Sequence, residues 1–333
     1  MKSLQRGSGF VSLVFVLFLC GAVLAAPSGK GLFGEWDMKL NFDNWQGKSI
    51  LTFGRDKEGE LTAQWISIFG IGEVKDIKRK GKNITFTLIN DMGDQEYIGN
   101  FIGTLEKGEL GGVLSSDSGE IMTEGKRLKR MPRVMGSWNM TLKMGDREFE
   151  TVLVVSADKE QKLHAEWQSQ WGEHEISDVQ FKDGKLTFSR VSKFSNREWK
   201  STYEGVLKGQ TLTGTVSSQQ GEITANGKHV GAALIGKWDL TMTSYQGTRK
   251  QRLTVLPDLS ARFGALPIKK IDLDNGKVSF KMILPFGDNE YQMGLEGKIQ
   301  GGKLTGKFTS SQGTSEVSGI KIRPVRRKKK TVN

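Results

Sequence analysis

The chain has 333 residues, 36% of them hydrophobic, with 49 basic against 37 acidic side chains, three histidines and one cysteine. A single cysteine excludes a disulfide framework, and so few histidines leave little from which to build a metal centre. The formal charge of +12 suggests nucleic-acid binding until it is located: two bases lie at Lys2 and Arg6, five in Lys126–Arg133 and seven in Lys321–Lys330, leaving 35 bases against 37 acids elsewhere. The body of the chain is close to neutral, so no nucleic-acid partner is expected.

Residues 1–25 read as a signal peptide. Lys2 and Arg6 form a basic n-region, Val11–Leu19 an apolar h-region, and Val23–Ala25 a small-residue cleavage site. The apolar run is too short for a membrane span, so export is expected, with no transmembrane span after cleavage. A lipid anchor on Cys20 is disfavoured because Leu19 stands where such signals want a small residue. Cleavage removes the only cysteine, so the mature chain must be held by ordinary burial.

The first element past this segment is Gly34–Leu40, GEWDMKL, in which Trp36, Met38 and Leu40 share one face and Asp37 and Lys39 the other. That alternation predicts a strand. The turn-forming run Asp43–Lys48 follows, then LTAQW (Leu61–Trp65), NITF (Asn83–Phe86) and ELGGVLSSDSGEI (Glu109–Ile121). Every one of these landmarks returns. GSWNMTL (Gly136–Leu142) and GKWDLTM (Gly236–Met242) place Trp138 and Trp238 at spacings of 102 and 100 residues from the preceding tryptophan. LHAEW (Leu163–Trp167), KLTF (Lys185–Phe188) and TLTGTVSSQQGEI (Thr211–Ile223) complete a second copy. LSARF (Leu259–Phe263), KVSF (Lys277–Phe280) and KLTGKFTSSQGTSEV (Lys303–Val317) complete a third. Three tandem domains are expected at 31–128, 133–230 and 233–323, followed by a basic tail at 324–333.

Each copy contains about eight short alternating strands joined by tight turns, and helical periodicity is scarce. A meander with one apolar face must roll up to hide it, so the fold class is all-β: three antiparallel up-and-down barrels. The Gly-x-Trp that opens each copy (Gly34–Trp36, Gly136–Trp138 and Gly236–Trp238) resembles the calycin group of lipocalins, fatty-acid-binding proteins and avidins. It is also similar to tandem repeats in exported bacterial proteins of unassigned role. The resemblance implies that the tryptophan closes one barrel end and that a small hydrophobic ligand could occupy the interior. The copies are shorter than a typical lipocalin, and their inward positions are crowded with Trp, Met, Phe and Leu, so a packed core is expected for most of the interior.

No catalytic triad pattern, cofactor motif or metal-ligand spacing is present. His164 should face outward, and His174, in Gly172–Asp178, reads as a surface residue that neither sister copy repeats. The recurrent acids Glu96, Glu198 and Glu290 each precede an aromatic and could serve a carbohydrate-active hydrolase only if two carboxylates faced each other. Hairpin-tip aromatics are the sharper signal. Trp45 and Tyr245 fall in the first hairpin of copies one and three, and Phe69 and Trp171 in a second hairpin of copies one and two. Exposed rings on turns suit stacking on a sugar or a partner. With Arg326, Arg327, Lys328, Lys329 and Lys330 as an electrostatic anchor, these rings point to an exported, non-enzymatic binding or scaffold protein of the cell envelope that contacts polysaccharide or another anionic polymer.

Overall fold

A computed structural model describes residues 31–42, 45–91, 96–170, 172–194, 197–286 and 289–322. It is all-β. The first repeat comprises β1 (Gly34–Phe42), β2 (Trp45–Arg55), β3 (Leu61–Ser67), β4 (Gly70–Lys80), β5 (Asn83–Asp91), β6 (Glu96–Glu106), β7 (Glu109–Ser116) and β8 (Gly119–Arg127). The second comprises β9 (Gly136–Met144), β10 (Arg147–Ala157), β11 (Leu163–Gln168), β12 (Glu173–Lys182), β13 (Lys185–Phe194), β14 (Arg197–Lys208), β15 (Thr211–Ser218) and β16 (Gly221–His229). The third has nine strands: β17 (Gly236–Ser244), β18 (Gly247–Val255), β19 (Ala261–Phe263), β20 (Leu266–Ile268), β21 (Asp272–Asp274), β22 (Lys277–Phe286), β23 (Asn289–Gln300), β24 (Lys303–Ser310) and β25 (Gly313–Lys321). All neighbouring strands are antiparallel and consecutive, apart from the pairing that brings the last strand of each repeat back to the first. The extra strand of the third repeat arises where its second hairpin is shortened into the three-residue pieces β19, β20 and β21.

Each repeat buries its opening tryptophan in its own core. Trp36, Trp138 and Trp238 are fully buried, and each indole Nε1 donates to a carbonyl four residues earlier: Leu32 (2.8 Å), Val134 (2.8 Å) and Leu234 (2.7 Å). The bond satisfies the one polar atom of a ring otherwise committed to the core. Directly across from these rings, on the last strand, stand Arg127, His229 and Lys321. His229 packs edge-on to Trp138 at 4.4 Å, and its Nε2 lies 2.8 Å from the Met135 carbonyl. Deeper in, an aromatic triad fills each barrel. Phe86 stacks on Phe101 at 4.5 Å beside Trp65, Phe188 on Tyr203 at 4.9 Å beside Trp167, and Phe263 on Phe308 at 4.7 Å beside Phe280.

The first barrel closes completely. The other two do not: β11 and β12 form the edges of the second sheet and β20 and β21 those of the third, and neither pair shares a ladder among the described residues. In the first barrel the corresponding strands pair through Trp65↔Gly72 and Ser67↔Gly70.

The barrels also dock on one another. β18 is buried on both faces from Gln251 to Val255, so its outward polar residues are lost from solvent as well. Gln251 Nε2 donates to the Ser67 and Ile68 carbonyls (3.0 and 3.1 Å), and Arg252 reaches Asp239 (2.7 Å) and Gln64 (3.0 Å). Glu35 of the first barrel accepts from Arg262 (2.7 Å) and pairs with Lys237. Ile50, Ile66 and Ala265 form a small apolar cluster in the same interface, with Leu128 against it. The β18–β19 turn meets the second barrel, since a Cβ on Gly136 would collide with the Pro257 carbonyl and one on Gly231 would approach Leu259 Cδ2 at 2.6 Å. The third barrel is the hub that both others touch.

Candidate functional site in the second barrel

The open seam of the second barrel and the residues beside it form a mouth, a cavity of about 350 Å³ lined by Leu142, Trp167, His174, Arg190 and Trp199 among others. Its origin lies in a few substitutions between copies. Strand register sets Arg190 where the first and third barrels carry Leu88 and Met282: Arg190 pairs with Ser201, Leu88 with Gly99 and Met282 with Met293. Both counterparts are buried core residues. Likewise the spacing of 102 residues sets His174 in the place of Gly72 and Ser192 in the place of Asn90. A Cβ on Gly72 would run into Asn90 Oδ1 and come within 2.9 Å of Leu88 Cδ1, so the closed first barrel has no room for a side chain there. The second barrel accommodates an imidazole at that point, its partners there are smaller or polar, and the β11–β12 seam stands open beside it.

The polar groups of the mouth have partners within hydrogen-bond distance. His174 Nε2 lies 2.7 Å from Ser169 Oγ, and its Nδ1 lies 2.9 Å from Ser192 Oγ. The Arg190 guanidinium sits over the buried Trp167 ring at 4.7 Å, and its Nε donates to Ser201 Oγ at 3.2 Å. Among the described residues Arg190 makes no other hydrogen bond and no ion pair. Burial lowers its pKa. Burial also lowers the pKa of His174, and the Arg190 charge adds to the effect. The folded barrel thus favours a neutral imidazole, whereas an unfolded histidine titrates near about 6.5. As pH falls through that value the unfolded chain takes up a proton that the folded chain resists, so stability should decline on acidification and recover above it. His174→Gln should remove this component from the pH profile of the thermal midpoint.

Below the mouth, Tyr203 occupies the position of Phe101, and its buried hydroxyl has no partner among the described residues. Burial pushes the phenol pKa upward. Tyr203→Phe should therefore stabilise the protein by about 1 kcal/mol in chemical denaturation, because an unsatisfied buried hydroxyl is removed.

The structure disperses the residues singled out from the sequence. Tyr245 is 84% exposed at the β17–β18 tip, its hydroxyl accepting from Gln246 Nε2 at 3.0 Å. Phe69 is 45% exposed, but its neighbour Ile68 packs against the core of the third barrel, so this hairpin is part of the docking interface. The Trp45 side chain, Trp171 and the bases Arg326, Arg327, Lys328, Lys329 and Lys330 lie outside the described residues. Glu96, Glu198 and Glu290 are exposed and sit one per barrel at the start of β6, β14 and β23, with Glu198 3.9 Å from Lys193. The fold does not bring them together as a carboxylate pair.

His164 is exposed, 3.2 Å from Asp158, as its strand position predicts. His174 corrects the surface reading: it is half-buried in the mouth, because the pleat turns it to the face that Gly72 occupies in the sister copy. Arg190 escaped notice in the sequence, although a column-by-column comparison of Leu88, Arg190 and Met282 exposes it as the charged member of a core position.

No protein-family model and no curated protein matches the chain. Among solved structures it is similar to a putative outer membrane protein from Bacteroides fragilis, at 13% identity over 88% of this chain and 99% of that one, with a TM-score of 0.23. It is also similar to a tryptophan-to-alanine mutant of transferrin binding protein B from Haemophilus parasuis (11%, 87% and 76%, TM-score 0.21). A third likeness is to the isotype 1 transferrin binding protein B from serogroup B Neisseria meningitidis (11%, 84% and 64%, TM-score 0.19). At these identities and scores the likenesses carry nothing about what this chain binds.

Proposed function

We propose that the protein is an exported, non-enzymatic binding protein whose second barrel receives a small ligand, while the first and third barrels provide a rigid frame. The observation that carries this reading is the contrast between equivalent positions. Leu88 and Met282 pack the first and third barrels, whereas the second replaces them with Arg190 beside an open seam. Charged and polar side chains at inward positions that the sister copies fill with apolar ones are the kind of local departure that functional sites make. Export rests on the signal-like segment at residues 1–25.

Native mass spectrometry of the mature chain tests the reading. A bound small molecule should co-purify with the wild type. It should be absent when the mouth is given the residues of the first barrel through His174→Gly, Arg190→Leu, Ser192→Asn and Ser201→Gly together. Equal adducts on both proteins, or none on either across a small-molecule screen, would overturn it.

A second contact surface is favoured by one observation, the 84% exposure of the Tyr245 ring on a hairpin tip. In this reading Tyr245, with Trp45 and Trp171 on the other hairpins, stacks on an envelope polysaccharide, and the bases Arg326 to Lys330 hold the chain to an anionic polymer. Tyr245→Ala combined with Trp171→Ala should reduce retention on insoluble polysaccharide several-fold; retention equal to wild type would remove the rings from the account.

A further inference from the structure

If the second barrel is a ligand site, its lining also specifies the ligand. Arg190 is a guanidinium drawn into a barrel interior with no carboxylate opposing it among the described residues. Only its Nε is engaged, by Ser201, which leaves the terminal nitrogens without a protein acceptor among the described residues. Those nitrogens form the edge that meets two oxygens of a carboxylate, phosphate or sulfonate side by side. Beneath the guanidinium lies the Trp167 ring, and Trp199, half-exposed, and Leu142 line the same cavity. The serines that bond both ring nitrogens of His174 hold the imidazole in place. The volume of about 350 Å³ sits at the low end of the range for small-molecule sites, roughly 300–1,000 Å³, and suits a compact ring-bearing molecule better than a long acyl chain.

We propose that the mouth of the second barrel binds a small organic anion, its oxyanion group paired with the free terminal nitrogens of Arg190 and its apolar body lying against Trp167 and Trp199. A neutral hydrophobic ligand would leave the guanidinium desolvated and unpaired, the more costly arrangement. This inference rests on the second barrel being a ligand site, and the two can fail separately.

The test is fluorescence titration of the full mature chain with two naphthyl probes of similar size: the anionic 8-anilinonaphthalene-1-sulfonate and the neutral N-phenyl-1-naphthylamine. Arg190→Met copies the third barrel and Arg190→Leu the first, so two independent variants guard against a folding defect, each checked by its thermal midpoint. Either substitution should weaken the anionic probe at least about tenfold, the loss of one charge-assisted pair, and leave the neutral probe within about twofold. Benzoate and phenyl phosphate should displace the anionic probe, and the stronger competitor separates a planar from a tetrahedral group.

An anionic probe that binds both variants as tightly as wild type, or that neither competitor displaces, would overturn the proposal. If the neutral probe still depends on the mouth, being lost in the fourfold variant with first-barrel residues, the ligand site stands and only its anion preference falls. If neither probe responds to that fourfold variant, both readings fall.

Discussion

Trp238→Ala is expected to destabilise the protein by about 3–5 kcal/mol, the range for truncating a large buried aromatic. Three losses coincide at this position. The ring is fully buried in the third-barrel core, its Nε1 bond to the Leu234 carbonyl at 2.7 Å ties the chain entry to β17, and Lys321 Nζ lies 5.5 Å above its face. Truncation leaves a cavity and an orphaned carbonyl, and the surrounding strands relax only partly into the space. The effect should spread further than that of the equivalent change at Trp36. The third barrel carries β18, which holds the first barrel, and the β18–β19 turn, which holds the second. Chemical denaturation followed by intrinsic fluorescence should show the midpoint shift, and limited proteolysis should show cleavage between the repeats at denaturant concentrations where the wild type resists. A change of less than about 1 kcal/mol would mean that the ring does not anchor the third-barrel core.

Glu35→Ala is expected to cost about 2 kcal/mol and to loosen the first barrel from the third. Glu35 is mostly buried between Arg262 and Lys237, so its removal leaves two cations facing each other without an acceptor. The cost is set below the figure for a fully buried pair because all three groups keep some solvent contact. Burial alone would raise the Glu35 pKa, but Lys237 and Arg262 outweigh it and hold the carboxyl below the ordinary range. A carboxylate with a depressed folded pKa contributes stability that is complete above its unfolded value, near about 4.3, and is lost as pH falls through the folded one. Acidification of the wild type should therefore reproduce the loosening that Glu35→Ala produces at neutral pH. Small-angle scattering is the measurement: the radius of gyration should rise in the variant at pH 7, and in the wild type only in acid. Identical scattering curves for both proteins at pH 7 would show that the docking rests on Gln251, Arg252 and the apolar cluster alone.

The all-β class and the threefold repeat are legible along the chain because they depend on local chemistry. Alternation at Trp36, Met38 and Leu40, and again at Trp138, Met140 and Leu142, reports a strand with one face inside, whatever surrounds it. The burial of all three opening tryptophans follows from the same pattern. The rule fails at β18, where Arg252 and Thr254 occupy outward positions and are nonetheless buried. Alternation tells which face meets the barrel's own core, and it is silent about a second barrel lying on the other face. Phe69 illustrates the same blindness: a ring on a hairpin tip reads as free for a ligand until the neighbouring repeat is placed against that hairpin.

The candidate site was half legible. Residue identity alone marks Arg190 as the charged member of a column that otherwise holds Leu88 and Met282, and His174 as a departure from Gly72. What those departures do depends on neighbours far away in sequence: Ser201 across the β13–β14 ladder, Ser169 across the open seam, and the Trp167 ring beneath the guanidinium. The sequence by itself determined the strands, their inward faces and the number of repeats, since these follow from periodicity and turn chemistry within short windows. Only the tertiary structure decided that the first barrel closes while the second stays open at β11–β12, and that the third joins them. Those outcomes turn on whether side chains from separate strands can occupy the same space, and on charges such as Glu35 and Arg262 that meet only when the barrels do.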